Sequence, residues 1–362
     1  MTNDVLHIVS SDAAVDAIMQ IRTLAANSKS IHRLLCLNQI GAASNTLLQT
    51  WLGDCVELTV IDNKSTWGSI WSLWKKRALF ATPITVYWDP MQFTNFQATL
   101  LLQNQSRRIV VMTLPSSREL RFPTYMGKKL LQRAEYIVTS STTLASQLEQ
   151  QVSDIADINQ ITPQFALPAT SAGNGLDLRE HLALNSSTQL IGCLGEFKPH
   201  FRLKEATWIV DILQKVKTDV HVVLIGDGPQ REILRRYRDH MWQRDHVHFL
   251  SPWHLSPQVF QQLDCILTPG DHIGQSIGVP LANAFGLTHI ATHSVCHMEL
   301  ADFANHDGML LGGPDAGSLA KQVLFALNTE QRVSSPTRSR DAPDTQQQLT
   351  QYQNQFNSIL NG

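Results

Sequence analysis

The chain has 362 residues, 43% hydrophobic and 17% charged, which excludes a disordered polymer and gives length enough for two domains with separate cores. Its 29 Lys and Arg stand against 31 Asp and Glu, and the resulting net charge of −2 offers nucleic acid no general attraction. The cysteines Cys36, Cys55, Cys193, Cys265 and Cys296 form no CxxC pair, which argues against a zinc site or a disulfide framework.

The opening run MTNDVLHIVSS has neither the charged nor the apolar region of a secretory leader. No stretch reaches the ~18 apolar residues of a membrane span. The expectation is a cytoplasmic protein, at most peripheral at the inner membrane face.

Short apolar runs recur along the first half: VLHIVS (5–10), IHRLLCL (31–37), VELTVI (56–61), ITVYW (84–88), RIVVMT (108–113) and YIVTSS (136–141). The segments between them are long enough for crossover helices, so the pattern predicts a parallel sheet. Between the third and fourth runs, Trp67, Trp71 and Trp74 followed by KKR (75–77) form an aromatic helical stripe with a basic end. It reads as an amphipathic helix packed on the first sheet, with a membrane or lipid-linked contact as the alternative. Asp12 and Asp16 read as helix-start residues.

The stretch QFALPATSAGNGLDLREHLALNSS (164–187) breaks the rhythm with Pro, Gly, Ser and Asn. The predicted division is a first domain over 1–167, a linker over 168–187, a second domain over 188–335, and a polar linker with a terminal helix over 336–362.

Alternation restarts with QLIGCLG (189–195), VHVVLI (220–225), HVHFL (246–250), LDCILTP (263–269), HIAT (289–292) and GMLL (308–311). Two helices are explicit. In one, Ile209, Ile212, Leu213 and Val216 make an apolar face; in the other, Pro229 suits a first turn and Ile233, Leu234, Tyr237 and Met241 make a buried stripe. The last helix carries Tyr352, Phe356, Ile359 and Leu360 at helical spacing. The fold class is α/β, with two Rossmann-like doubly wound domains facing a cleft.

Several second-half segments carry a family resemblance. IGCLGEFKPHFRLKEATWIVDIL, VHVVLIGDGPQREILRRYRD, DHVHFLS, PGDHIGQSIGVPLANAFGLTHIAT (269–292) and GMLLGGPDAGSLAKQVLFAL together resemble the donor domain of the family-4 retaining glycosyltransferases of GT-B fold. IGDGP before a helix, and GQS before a helix ending at Gly286, carry most of the likeness. The resemblance implies a sugar nucleotide held on the second domain, a glycan or lipid-linked acceptor, no metal cofactor, and a terminal helix returning to the first domain.

In that family an Arg and a Lys hold the diphosphate, and two glutamates serve the sugar and ribose. Cations stabilise the charge that develops on a departing diphosphate, and a carboxylate grips a diol by accepting two hydrogen bonds. Aligned on Gly195, Trp208, Gly274 and Gly286, this sequence places Glu196 at the Arg position, Phe201 at the Lys position, and Ile273 and Leu281 at the glutamates. A shifted pairing of Gln275 with Asn283 keeps the spacing but misplaces Gly286. Backbone N–H groups at Gly274, Gln275 and Ser276 open a helix and suit a phosphate. Arg202 and Lys204 are the cations close enough in sequence to replace the missing clamp; the other reading makes them solvated charges at a helix start.

His293, Cys296, His297 and Glu299 read as loop residues rather than metal ligands, and the resemblance places a family acid at Glu299. The expected function is that of a GT-B protein with a dismantled sugar-nucleotide site, weakly active or noncatalytic in glycan assembly, with an active transferase as partner. The alternatives are an active retaining transferase with a rewired clamp, and a nucleotide- or glycan-binding module.

Overall fold

In the computed structural model of the chain, the residues described are 4–9, 15–26, 28–37, 42–61, 81–89, 101, 106, 108–113, 125–161, 165, 167, 176–216, 219–270, 278–294, 297–299, 309–332 and 343–361. Two compact units emerge: Met1–Ala166 with Gln348–Gly362, and Leu167–Gln347. The Trp67, Trp71 and Trp74 stripe, the basic run after it, and Asp12 lie outside the described residues.

The first unit holds strands β1 Val5–Val9, β2 His32–Cys36, β3 Val56–Val60, β4 Ile84–Trp88, β5 Arg108–Thr113, β6 Tyr136–Thr139 and β7 Ile158–Gln160. They form a parallel sheet in the order β3-β2-β1-β4-β5-β6-β7. β1 and β4 are buried at every position, which is why they read as unbroken apolar runs. β7, with the sequence INQ, has no such run, and the sequence reading missed it. Helices α1 Val15–Ala25, α2 Ala42–Leu52, α3 Tyr125–Arg133 and α4 Thr142–Gln151 lie between the strands. Asp16 is a buried first-turn residue of α1, and Ser141 caps α4 by accepting from the Leu144 N–H at 3.1 Å.

Beneath this sheet's centre runs a buried polar chain. The Trp88 indole N–H donates to His7 Nδ1 at 3.1 Å. An indole can only donate, so His7 carries its own proton on Nε2 and donates it to His32 Nδ1 at 2.8 Å. The two imidazoles are stacked, 5.1 Å apart and 11° from parallel.

The second unit holds α5 Leu178–His181, β8 Gln189–Leu194, α6 Leu203–Gln214, β9 Val220–Ile225, α7 Arg231–His240, β10 Val247–Leu250, α8 Pro257–Gln261, β11 Cys265–Thr268, α9 Gly278–Phe285, β12 Thr288–Thr292, β13 Met309–Gly312 and α10 Ala316–Arg332. Its sheet is parallel in the order β10-β9-β8-β11-β12-β13. Strand order therefore reverses between β8 and β11, where ligands of open α/β sheets bind.

The terminal helix α11, Pro343–Asn361, buries Tyr352, Phe356, Ile359 and Leu360 as the sequence pattern predicts. Its last turns belong to the first unit. The Tyr352 hydroxyl donates to Gln20 Oε1 at 3.0 Å, Gln353 Nε2 to the Thr23 carbonyl at 2.7 Å, and Arg108 to the Leu360 carbonyl at 2.6 Å.

Two predicted stripes need correction. Val216 lies beyond the α6 cap at Lys215 and is 67% exposed, so the buried face ends at Leu213. In α7 only Leu234 is fully buried, Ile233 is 47% exposed, and Pro229 sits in the turn before the helix. Among the described residues no helix is long and apolar enough to cross a membrane.

The C-terminus of α7 is a Schellman turn, with Gln243 N–H bonded to the Arg238 carbonyl at 3.1 Å and Trp242 N–H to that of Asp239 at 3.3 Å. Trp242 takes the left-handed position usually given to glycine, at φ 58°, and is 90% exposed. A side chain there costs ~1–2 kcal/mol, part of which glycine would return as unfolded-chain entropy. Trp242→Gly should therefore raise stability by about 0.5–1 kcal/mol in chemical denaturation; a loss of stability would show that the indole supports the fold.

Burial holds the His7 imidazole well below its ordinary value, with His32 adding to the effect, and burial takes His32 down to about 4. Both are neutral when folded, whereas the unfolded chain takes up protons near 6.5. Their contribution is complete above pH 6.5 and is lost as pH falls toward 4. Burial also lowers His221 and His248, which adds a loss of the same sign in the second unit. Melting temperature should thus drop between pH 7 and 5, and a His7→Leu/His32→Leu variant should start lower and fall less steeply. Parallel profiles would remove these histidines from the account.

Candidate functional site in the second unit

The loops that leave β8 and β9 lie against each other at closest backbone distance. A Cβ on Gly226 would fall 1.9 Å from the Gly195 carbonyl oxygen, so only glycine fits. Gly228, at φ +150°, lies against the Phe197 backbone, where a Cβ would meet its nitrogen at 2.9 Å. Hydrogen bonds join the two loops: Phe197 N–H to the Asp227 carbonyl, and Gln230 N–H to the Phe197 carbonyl, each 2.9 Å. The glycines of IGDGP are thus explained by loop packing.

Phe201 closes the other side of Gly195. Its ring carbon Cδ1 stands 2.6 Å from where a Cβ of Gly195 would be, and the side chain is buried in the second unit's core. Phe197 belongs to the same core and meets Phe249 edge-on at 5.9 Å. The position that the resemblance gives to a phosphate-binding lysine is thus an apolar plug over the glycine.

Glu196 has a partner that sequence reasoning missed. Its carboxylate lies 2.5 Å from Lys198 Nζ, with side chains only 13% and 17% exposed. The Lys198 N–H bonds to the Glu196 carbonyl at 2.8 Å, and this three-residue turn brings the two side chains together; opposite charges two residues apart before Pro199 are the signal that could have found the pair. The anion expected beside a diphosphate path is therefore matched locally by a cation.

Arg202 and Lys204 are directed to the protein's own groups. Arg202 occupies the left-handed region at φ 52°, between a turn of 3-10 helix at Pro199–Phe201 and the start of α6. Its guanidinium donates to the Pro314 carbonyl and lies 3.2 Å from Glu205. These contacts hold the turn before α10, where Asp315 caps by accepting from the Ser318 N–H at 2.8 Å. Lys204 is exposed, and its Nζ stands over the Tyr237 ring at 5.4 Å from the centroid.

Leu281 lies on α9 and is fully buried, and Pro280 is in the first turn, where its missing N–H costs least. Ile273, Gly274, Gln275 and Ser276 lie outside the described residues. At the start of that loop the Thr292 hydroxyl donates to the Pro269 carbonyl at 2.7 Å, and Thr268 Oγ1 and His289 Nε2 are 2.8 Å apart.

His293 is exposed while His297 is buried, its Nδ1 bonded to the Thr292 carbonyl at 2.7 Å. The ring is thereby used to fix the loop after β12. Among the described residues no group of His, Cys, Asp and Glu is arranged to hold a metal ion. Cys296 lies outside them.

Comparison of the sequence with curated proteins gives no match. Solved structures match over the whole chain. Anabaena Alr3699/HepE in complex with UDP and glucose superposes with a TM-score of 0.68 at 16% identity, covering 99% of both chains. The sucrose-phosphate synthase of Thermosynechococcus elongatus gives 0.68 at 13% identity, covering 99% of this chain and 98% of the other. WaaG, a glycosyltransferase involved in lipopolysaccharide biosynthesis, gives 0.66 at 12% identity, covering 99% and 100%. The two parallel sheets, with a terminal helix returned to the first unit, are those of the GT-B fold, and residues 188–329 match the glycosyl transferases group 1 family.

Proposed function

We propose that the chain acts in glycan assembly as a glycosyltransferase-fold protein whose sugar-nucleotide clamp is dismantled, leaving it weakly active or noncatalytic. The observation that carries this reading is the Phe201 ring seated on Gly195, where a diphosphate clamp needs a cation. Three further placements support it. Glu196 is neutralised by Lys198, Arg202 is used by Pro314 and Glu205, and Leu281 puts a fully buried apolar side chain at a glutamate position. Each charge-assisted hydrogen bond missing from a desolvated site removes ~1.5–3 kcal/mol. Two such losses already amount to a factor of roughly 10²–10⁴ in affinity or rate.

The ligand class comes from the neighbours: HepE is solved with UDP, with UDP and glucose, and with UDP-glucose. On this reading a nucleotide sugar is a weak ligand, a glycan or lipid-linked molecule is the acceptor class, and an active transferase is the partner that supplies turnover. No metal has a part in it. The two alternatives, a rewired active transferase and a binding module, need an available cation or a retained nucleotide pocket.

A thermal-shift series of the purified chain against UDP, GDP, ADP and their sugar conjugates separates these readings. A nucleotide present at a hundred times its Kd adds ~2.7 kcal/mol and shifts the melting temperature by several degrees. The expected result is no shift at millimolar nucleotide and no release of nucleoside diphosphate from the sugar conjugates. A clear shift with turnover would replace this reading with the active transferase, and a shift without turnover would replace it with the binding module.

A further inference from the structure

A second cluster of charge lies away from the Gly195 loops. Along α7 and the open edge of the sheet is a cleft of about 420 Å³ whose lining includes Arg235, Arg236, Arg238, His248 and Phe249. Successive strand residues point to opposite faces, so a cleft lined by both His248 and Phe249 wraps the outer edge of β10. β10 pairs with β9 and lies two strand spacings, ~10 Å, from β8.

The arginines are held in place. Arg238 and Arg235 both stand over the Phe249 ring, at 5.4 and 5.8 Å from its centroid. One ring thus gathers two like charges. Local carboxylates do not balance the cluster. Glu232 pairs with Arg235 at 3.0 Å, and Asp239 is shared by Arg238 at 2.8 Å and Arg244 at 3.0 Å. Among the described residues no carboxylate stands within ion-pair distance of Arg236. The three guanidinium groups of the lining therefore meet two carboxylates, Glu232 and Asp239.

On the cleft floor His248 Nε2 lies 3.0 Å from His221 Nδ1, the rings parallel within 5°. His246 meets His221 edge-on at 4.9 Å. Burial holds His248 down to about 4, with His221, His246 and Arg238 adding to the effect and the Asp245 carboxylate opposing it. The floor thus supplies neutral imidazole while the wall supplies fixed cations. A tetrahedral dianion suits that combination, because guanidinium forks bind phosphate oxygens two at a time.

We propose that the cleft between α7 and β10 is a second anion-binding site, taking a phosphate monoester group from a soluble ester or from a lipid headgroup. None of the arginines of this site belongs to the Gly195 loops, and the contact between the two places is the edge-on packing of Phe249 on Phe197.

The test uses the full chain and an Arg235→Gln/Arg236→Gln variant. Calorimetric titration with inorganic phosphate probes the soluble source. Co-sedimentation with vesicles of phosphatidic acid in phosphatidylcholine, against phosphatidylcholine alone, probes the lipid source. Saturable binding of either probe, weakened about 10- to 100-fold in the variant, is expected. Phosphate binding alone assigns a soluble ester, and binding confined to the phosphatidic acid vesicles assigns a headgroup. Arg231→Gln, whose parent side chain pairs with Asp227 at 3.2 Å, should bind like the wild type. If the double variant does not fold, Arg236→Gln alone carries the comparison. Binding of neither probe, or equal binding by wild type and variant, overturns the proposal.

Discussion

The backbone contact between Gly195 and Gly226 governs the chemistry of the second unit. With a would-be Cβ 1.9 Å from a carbonyl oxygen, the loops after β8 and β9 can meet only as bare backbone. Once they do, Phe197 is fixed by hydrogen bonds at both its N–H and its carbonyl, and residues 199–201 make one tight turn before α6. That turn brings the Phe201 ring onto Gly195. Its burial contributes ~1.5–3 kcal/mol, so the residue that removes a cation from the loop also helps hold the loop together.

Stability and ligand chemistry therefore draw on the same few positions. Arg202 shows the trade directly. A non-glycine residue at φ 52° is strained by ~1–2 kcal/mol, and its guanidinium offsets this by holding the Pro314 carbonyl and Glu205. A side chain that fixes the start of both α6 and α10 loses those contacts if it swings toward a phosphate. In the first unit the Trp88, His7 and His32 chain makes a comparable commitment. It satisfies the Trp88 indole N–H, both His7 nitrogens and His32 Nδ1 in series, and it does so only while both imidazoles are neutral.

Most of the fold is legible in the sequence because parallel strands are buried on both faces and read as unbroken apolar runs. β7 escapes because a three-residue edge strand with the sequence INQ has no run to read. The α7 stripe is misread for a different reason. Helical spacing admits several apolar faces, and here Phe249 of the neighbouring strand draws the arginines inward while Ile233 is left outside. At the site, the alignment names the substituted positions, but nothing in it says where their side chains turn. The Glu196 and Lys198 pair, the Arg202 contact with Pro314 and the Phe201 ring on Gly195 depend on tertiary placement, and Pro314 is more than a hundred residues from Arg202.

The two ends of this charge distribution fit one physical scheme. Near the Gly195 loops each cation has a protein partner: Lys198 has Glu196, Arg202 has Pro314 and Glu205, Lys204 has Tyr237, and Arg231 has Asp227. An incoming diphosphate must break such contacts before it gains any, and the exchange removes most of the benefit. Along the edge of β10 the arginines outnumber the carboxylates and already lie close together over one ring. An anion arriving there relieves repulsion as well as forming new bonds. Within one unit, charge is thus matched internally around the loops after β8 and β9 and left less evenly matched along the outer edge of β10, the strand beside β9.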